Sequence, residues 1–213
     1  MSSAALILAA GESRRMGSPK ALLRYAGASF LDTLIGLVAP RCSPVVVVLG
    51  AAADEIRAAA RRPALFVVNP EWQGGQTVSM QCGLRAVPPE ASGVLFTLVD
   101  HPAVSPATVA ALLDRPRWDR PSSSVACRPP LNHDGLGGRV LLRVPRYRGR
   151  RGHPIWFSRE LIPEFMALPA GGAARDVVRR HAAGTGFLDL DDAGIVADID
   201  DLADYAALLG EAR

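Results

Sequence analysis

Short, strongly apolar runs alternate along the chain with longer segments of helical periodicity, and this alternation restricts the fold more than any other feature. The apolar runs are predicted as strands: Ala4–Ala10, Val45–Gly50, Leu65–Val68 and Val94–Val99. Between and after them the spacing predicts helices: Phe30–Val38, Asp54–Arg62, Ser79–Val87, and one that starts at Ser105-Pro106 and ends at Leu113. Alternating strands and helices form a mostly parallel sheet covered by helices on both faces, so we predict an α/β fold.

The second half of the chain begins with a stretch of different character. Residues Arg115–Gly138 are rich in Pro, Ser, Gly and Arg, which predicts a long loop with a short strand at Ser124–Cys127. Further strands are predicted near Val140–Val144, Ile155–Phe157, Phe187–Leu190 and Ile195–Ile199. Further helices are predicted at Ser158–Met166, Ala173–His181 and Leu202–Leu209. A length of 213 residues suits one large α/β domain, so we predict a single domain.

Composition indicates a globular chain and excludes a dedicated nucleic-acid binder. Hydrophobic residues make up 49% and charged residues 21%, which supplies a substantial core. The formal net charge is only +3, whereas nucleic-acid-binding domains carry a strongly basic surface. Positive charge gathers at Arg14–Lys20 and Arg143–Arg151, which predicts local anion sites instead.

Cysteine usage and hydropathy bear on the compartment. Cys42, Cys82 and Cys127 are widely spaced and form no Cys-x-x-Cys pair, which excludes a disulfide framework and a zinc ribbon. A reducing, cytoplasmic setting is therefore predicted. The run Ala4–Ala10 is short for a signal peptide, and no stretch approaches the roughly 20 apolar residues that span a bilayer. We expect no membrane association.

Three segments follow predicted strands directly: Gly11–Lys20, Asn69–Ser79 and Asp100. Ligands of parallel α/β sheets bind at the carboxyl ends of the strands, so these segments are the candidates for function. In the first, small residues let backbone N–H groups approach a phosphate chain, and Arg15 and Lys20 add positive charge. It is neither a Walker A loop nor a dinucleotide-binding glycine motif. The alternative is a surface turn with solvated arginines.

A family resemblance rests on this loop and on five later segments. Residues 8–20 read Leu-Ala-Ala-Gly-x-Ser-x-Arg-Met-Gly-x-x-Lys, which resembles the signature of nucleotidyltransferases that activate phosphorylated small molecules with nucleoside triphosphates. The later segments resemble the molybdenum cofactor cytidylyltransferase branch of that group: Asn69–Ser79, Val99–Pro102, Arg150–Pro154, Gly172–Arg175 and Asp198–Leu202. The resemblance spans nearly the whole chain, and the Gly-His-Pro segment at 152–154 indicates the branch.

The resemblance implies a fold, a cofactor, and separate nucleotide-binding and acceptor-binding halves of the chain. It implies a Rossmann-like three-layer sandwich with a mostly parallel mixed sheet, CTP as the favoured donor, and Mg²⁺. Residues 1–113 would form the nucleotide-binding half and residues 140–213 the acceptor-binding half. Three features depart from the family pattern: His101 stands where Gln or Met is common, the ending Asp200–Asp204 differs, and the stretch before Val140 is longer than expected.

Two aspartates are candidate Mg²⁺ ligands. Asp100 ends a predicted buried strand, where a carboxylate must be paired, hydrated or metal-bound. Mg²⁺ prefers hard oxygen ligands from few carboxylates and from substrate phosphates. Asp200 is the second candidate, with Asp198 as its competitor. The alternative for Asp200 is to cap the helix predicted from Leu202.

The remaining candidates divide between the nucleotide and the acceptor. Nucleotide binding is assigned to Leu8, Ala9, Ala10, Gly11, Asn69, Gly74, Gly75 and Ser79. From residue types alone, the last four fit a plain loop with a helix cap equally well. Acceptor binding is assigned to His153, which follows an arginine-rich approach, and to Arg151 and Arg175, whose guanidinium groups match phosphate bidentately. Arg15 and Lys20 are the candidate catalytic residues.

The predicted reaction is transfer of CMP from CTP to the phosphate of molybdenum-bound molybdopterin, with release of pyrophosphate. Such chemistry depends mainly on positioning and charge neutralisation. The alternatives are the same fold with GTP or another phosphorylated acceptor, or a non-catalytic chaperone that binds the cofactor. A molybdenum hydroxylase is a candidate partner. An NAD-dependent oxidoreductase is disfavoured because the fingerprint glycines are absent.

Overall fold

The structure, a computed structural model, describes residues 2–114, 140–169 and 171–211. The predicted loop at 115–138, its short strand and Cys127 lie outside these residues. The strands are β1 (Ser3–Ala9), β2 (Arg24–Tyr25), β3 (Ala28–Ser29), β4 (Cys42–Leu49), β5 (Leu65–Val68), β6 (Gly93–Leu98), β7 (Leu142–Tyr147), β8 (Arg150–Arg151), β9 (Ile155–Ser158) and β10 (Thr185–Asp189). The helices are α1 (Phe30–Val38), α2 (Ala53–Ala59), α3 (Gln76–Leu84), α4 (Pro106–Leu113), α5 (Ile162–Met166), α6 (Ala174–Arg180) and α7 (Leu202–Glu211).

One mixed, mostly parallel sheet organises the molecule, in the order β10-β7-β9-β6-β1-β4-β5, with β8 paired to β7. The strands β6, β1, β4 and β5 are mutually parallel. β9 runs antiparallel to both β6 and β7, and β10 is parallel to β7, so β7 and β10 point the same way as β6. The carboxyl ends of six strands therefore meet at one edge, and the predicted fold class is confirmed.

Hydrophobic residues pack on both faces of this sheet, as the apolar runs predicted. Along β1, Ala5, Ile7 and Ala9 join one cluster with α1 and α4, because alternate side chains of a strand face opposite sides. The intervening Ala4, Leu6 and Leu8 join a second cluster with α3, α5 and α6. Ser105 caps α4 by accepting a hydrogen bond from the backbone N–H of Thr108, with Pro106 in the first turn, as predicted. None of the helices in the described ranges is long and apolar enough to cross a membrane.

One predicted strand, Ile195–Ile199, is wrong. The segment forms a 3₁₀ turn at Ala193–Val196 and then an irregular crossing of the sheet edge. Its isoleucines are buried, but their backbone hydrogen bonds to the sheet edge are isolated and form no ladder: His153 N–H donates to the Ile195 carbonyl, and Ile199 N–H donates to the Asp100 carbonyl. The apolar pattern was caused by burial against the edge rather than by pairing in the sheet.

The arginine-rich segment that precedes His153 forms a tight hairpin. β7 extends to Tyr147 and pairs with β8 across a two-residue turn. The turn residues Arg148 and Gly149 have φ angles of 48° and 79°, the left-handed conformation that such hairpin turns require. Gly152, which follows β8, cannot carry a side chain, since a Cβ there would lie 2.1 Å from the Ile195 carbonyl oxygen.

Candidate active site

A pocket of about 460 Å³ opens at the carboxyl ends of β1 and β6. It is lined by residues 8–15 and 19–21, Ile56, Trp72, Gly75, Gln76, Ser79, residues 98–100 and Asp200. All three segments selected from the sequence therefore contribute to one pocket, together with one residue from the C-terminal part of the chain. This agrees with the rule that ligands of parallel sheets bind at the carboxyl ends of the strands.

The glycine loop is held in a defined shape by the protein itself. Ser13 adopts a left-handed conformation and its hydroxyl accepts a hydrogen bond from the Lys20 backbone N–H at 3.0 Å. Met16, in the 3₁₀ turn between them, is buried and anchors the loop to the body of the protein. A Cβ at Gly11 would meet no protein atom within 4 Å, so internal packing does not demand glycine there. Its absence of a side chain leaves room for a ligand beside the backbone.

Lys20 lies between the two candidate metal ligands. Its Nζ is 2.7 Å from Asp200 Oδ1 and 3.5 Å from Asp100 Oδ2, and its side chain is only 14% exposed. Arg15 Nη2 lies 3.3 Å from Asp200 Oδ2. The hydrogen bond from Lys20, followed by its charge and that of Arg15, holds the pKa of Asp200 below its ordinary value. Asp200 therefore presents charged oxygens beside the glycine loop at neutral pH.

The two aspartates fit a divalent cation that also binds substrate phosphates. Asp100 Oδ1 is buried and has no hydrogen-bond partner within the described residues, which leaves a hard oxygen available for coordination. No group of three or more acidic, histidine or cysteine side chains in the described ranges is arranged to hold a metal by itself. Phosphate oxygens and water would have to complete the coordination, as is usual for Mg²⁺.

The alternatives for Asp200 are resolved by the geometry. Asp200 lines the pocket, whereas Asp198 is exposed and does not. The residue that caps α7 is Asp201, whose Oδ1 accepts hydrogen bonds from the backbone N–H groups of Ala203 and Asp204. The carboxylate of Asp200 is thus directed to Lys20 and Arg15 rather than to the helix terminus.

Two histidines lie side by side next to Asp100. The ring centroids of His101 and His153 are 5.1 Å apart, and His101 Nε2 is 3.7 Å from Asp100 Oδ1. Burial lowers the pKa of His153 to about 4, with a further contribution from His101. Burial also lowers the pKa of His101, against the opposing charges of Asp100 and Asp198. Both rings are therefore neutral at pH 7, and the 3.7 Å approach to Asp100 is not an ion pair.

The neutral state of His153 predicts a pH dependence of stability. Because its pKa is about 4 in the folded protein and 6.5 ordinarily, the unfolded chain binds the extra proton first as the pH falls. The free energy of unfolding should therefore fall between pH 6.5 and pH 4, by about 1.4 kcal/mol per pH unit and about 3 kcal/mol in all from this group. Urea unfolding at several pH values measures the slope. His153→Asn should remove this part of it, and an unchanged slope in that variant would contradict the assignment.

The pocket includes most of the residues assigned to the nucleotide. Leu8 to Gly11, Gly75 and Ser79 line it, whereas Asn69 and Gly74 do not. Asn69 is 3% exposed and its side chain is fully engaged within the protein. Its Nδ2 donates to Ser79 Oγ at 3.1 Å, and its Oδ1 accepts from the backbone N–H of Glu71. Asn69 thus braces the turn that carries Gly75 and Ser79.

The residues assigned to the acceptor lie outside the pocket. Arg151 is exposed on β8, with its guanidinium stacked 4.8 Å from the Phe187 ring centroid. Arg175 is exposed on α6. His153 does not line the pocket but contacts His101, which lies next to the pocket residue Asp100. Because β7 points the same way as β6, the hairpin that carries Arg151 is nevertheless at the same edge of the sheet as the pocket.

The pocket residues that were not assigned from the sequence include Ile56, Trp72 and Gln76. Trp72 and Gln76 lie in the segment Asn69–Ser79, which follows β5, so their position after a strand was the available signal. Trp72 is half-buried and Gln76 is exposed at the first turn of α3. Ile56 belongs to α2, and its helical spacing indicated only a core position.

Comparison with known proteins identifies relatives across the whole length of the chain. The family model described as MobA-like NTP transferase domain matches residues 5–185. Nicotine blue oxidoreductase of Paenarthrobacter nicotinovorans is 32% identical over 208 residues, which cover 96% of this chain and 95% of that protein. Molybdenum cofactor cytidylyltransferase of Escherichia coli is 26% identical over 204 residues, which cover 94% and 92%.

Among solved structures, Rv0371c of Mycobacterium tuberculosis H37Rv is similar with a TM-score of 0.77 and 27% identity, covering 99% of both chains. A complex of Rv0371c with manganese is similar with a TM-score of 0.72 and 26% identity. The likeness to Rv0371c thus extends over almost the whole chain.

Proposed function

Because the chain belongs to the MobA-like NTP transferase family, we propose that it is a Mg²⁺-dependent nucleotidyltransferase that transfers CMP from CTP to the phosphate of molybdenum-bound molybdopterin. The observation that carries this proposal is the convergence of Lys20, Asp100 and Asp200 beside the glycine loop in one pocket. The full-length similarity to a molybdenum cofactor cytidylyltransferase supports the choice of donor and acceptor. The manganese complex of Rv0371c supports the divalent cation.

In the proposed reaction, an oxygen of the acceptor phosphate attacks the α-phosphorus of CTP. The bond from the α-phosphorus to the bridging oxygen breaks, and that oxygen leaves with pyrophosphate. Backbone N–H groups of residues 9–11 and the charges of Arg15 and Lys20 would hold the triphosphate and neutralise the charge that develops on it. Asp100 and Asp200 would hold Mg²⁺, which when bound screens the phosphate oxygens from one another. No covalent enzyme intermediate is required.

The acceptor would enter from the side of His101, His153 and the β7–β8 hairpin. Arg151 and Arg175 are exposed, so they would meet the acceptor before it reaches the pocket. The neutral histidines can donate or accept hydrogen bonds without adding charge next to Asp100. The product would then pass to a molybdenum hydroxylase in the cytoplasm.

A second candidate function follows from the relative named nicotine blue oxidoreductase, since its similarity covers nearly the whole chain. In this alternative the protein would be an oxidoreductase that acts on nicotine blue or a related compound. The two carboxylates beside Lys20 favour the first candidate, because hydride transfer has no need of a phosphate-binding cation at the reacting centre.

The proposed function is tested by pyrophosphate release from CTP, GTP, ATP and UTP, each with the molybdenum-bound pterin phosphate and Mg²⁺. We expect release with CTP that depends on both Mg²⁺ and acceptor. Release with GTP instead would keep the reaction and change the donor. Oxidation of NADH or NADPH in the presence of nicotine blue, with no pyrophosphate from any nucleotide, would favour the second candidate.

A further inference from the structure

A hydrogen-bonded turn at the start of α7 fixes the backbone of the candidate ligand Asp200. Asp204 Oδ2 accepts hydrogen bonds from two consecutive backbone N–H groups, those of Asp200 at 2.9 Å and Asp201 at 3.1 Å. Asp204 itself does not line the pocket. Its carboxylate therefore holds the backbone of both Asp200 and Asp201.

The same turn is closed in the opposite direction by Asp201. Its Oδ1 accepts from the backbone N–H groups of Ala203 at 2.9 Å and Asp204 at 3.0 Å. The pair forms a reciprocal capping box, with an aspartate in each of its two positions. Asp204 Oδ2 accepts one further hydrogen bond that an ordinary capping box does not include, from the N–H of Asp200. The side chain of Asp200 contacts Lys20.

This turn is also tied to the chain that follows the glycine loop. The Tyr205 hydroxyl donates to the Arg24 carbonyl at 2.9 Å and accepts from the Arg24 N–H at 3.2 Å. Its ring packs edge-on against Phe30, with centroids 5.9 Å apart. Lys20 belongs to the segment that leads to Arg24, and Asp200 belongs to the turn that contacts Arg24 through Tyr205. The two segments that carry Lys20 and Asp200 are thus connected to each other.

We infer that Asp204 is a positioning residue, which holds Asp200 at the metal and at Lys20 through the Asp200 backbone. The inference rests on the proposed function, in which Asp200 shares a cation with Asp100. Asp200 comes from an irregular segment, and its side chain is 41% exposed, so packing alone fixes it poorly. Residues that orient a ligand in this way usually change metal affinity about 10–100-fold when they are removed.

The test measures Mn²⁺ binding to each variant in the presence of CTP by electron paramagnetic resonance. Thermal unfolding and the kinetic constants are measured on the same variants. Asp204→Ala should weaken Mn²⁺ binding about 10-fold or more. It should also raise the Mg²⁺ concentration required for turnover, with little change in the KM for CTP at saturating Mg²⁺. Asp204→Asn, whose amide oxygen can still accept both N–H groups, should remain within about threefold of the wild type. If Asp204→Ala does not fold, Asp204→Ser replaces it, because the shorter hydroxyl cannot reach both groups.

The matched control is Asp201→Ala, which removes the cap of α7 but leaves Asp204 in place. It should lower Tm by about 2–4 °C while Mn²⁺ binding stays within threefold of the wild type. Equal losses of Mn²⁺ binding in the Asp201 and Asp204 variants, or none in Asp204→Ala, would overturn the inference. A wild-type protein that binds no Mn²⁺ with any nucleotide would instead overturn the proposed function, so the two failures are distinguishable.

Discussion

Lys20→Ala should lower kcat about 10²–10³-fold at saturating nucleotide, the loss typical of removing one preorganised charge-stabilising group. Lys20 Nζ lies within 3.5 Å of both candidate metal ligands, beside the loop whose N–H groups would hold the triphosphate. Its charge is therefore placed where pyrophosphate would leave. Rates with CTP and acceptor at saturating Mg²⁺ measure the effect.

The thermal stability of the Lys20→Ala variant should also depend on Mg²⁺. Without Lys20, Asp100 loses its lysine partner and Asp200 keeps only the more exposed Arg15, so the variant should unfold at a lower temperature than the wild type in the absence of Mg²⁺ and recover when Mg²⁺ is added. Arg41→Ala is the matched control, because it removes an exposed positive charge at the amino end of β4, the opposite edge of the sheet. A Lys20→Ala protein that turns over at the wild-type rate would remove Lys20 from the mechanism.

Asp100→Asn should abolish Mg²⁺-dependent turnover, with a loss of about 10³-fold that higher Mg²⁺ does not restore. Asn keeps the shape but loses the charge that a hard cation requires. Stability should change little or increase, since the wild-type side chain buries a carboxylate oxygen that has no hydrogen-bond partner in the described part of the chain. Lost activity with an unchanged or higher Tm separates a functional carboxylate from a structural one.

The control for Asp100 is Asp198→Asn, which neutralises an exposed carboxylate on the segment that carries Asp200 but outside the pocket. We expect it to keep turnover within about threefold of the wild type, because the Asp198 carboxylate is exposed to solvent and does not line the pocket. If the Asp198 variant lost activity and the Asp100 variant retained it, the assignment of the metal ligands would be reversed.

The parts of the fold that local patterns determine could be predicted from the sequence. The runs at β1, β4 and β6 are buried on both faces, so continuous apolar residues marked them directly. The segments after them had to meet at one edge, and the pocket does form there. Ile195–Ile199 failed because burial against a sheet edge gives the same apolar pattern as burial within a sheet. Nothing local distinguishes the two.

The candidate site, like the fold, could be predicted from the sequence only where a local pattern marks it. The glycine loop and Asp100 were identifiable because each immediately follows a strand. The choice of Asp200 over Asp198 depended on a turn that ends more than 90 residues after β6, and only the three-dimensional arrangement settles which carboxylate faces Lys20. Asn69 has the residue type expected to contact a base, but its partner Ser79 lies one turn into α3 and satisfies it internally. Residue type and position alone do not reveal where a buried amide finds its hydrogen bonds.

We propose that the pocket beside Lys20, Asp100 and Asp200 joins a nucleotide to a phosphorylated acceptor. Mass spectrometry of the acceptor after incubation with CTP, Mg²⁺ and wild-type protein, with Asp100→Asn in parallel, tests this proposal. The wild type should form an acceptor enlarged by one CMP through a new diphosphate linkage, and the variant should not. An unmodified acceptor under conditions where the protein binds Mn²⁺ and CTP would contradict it.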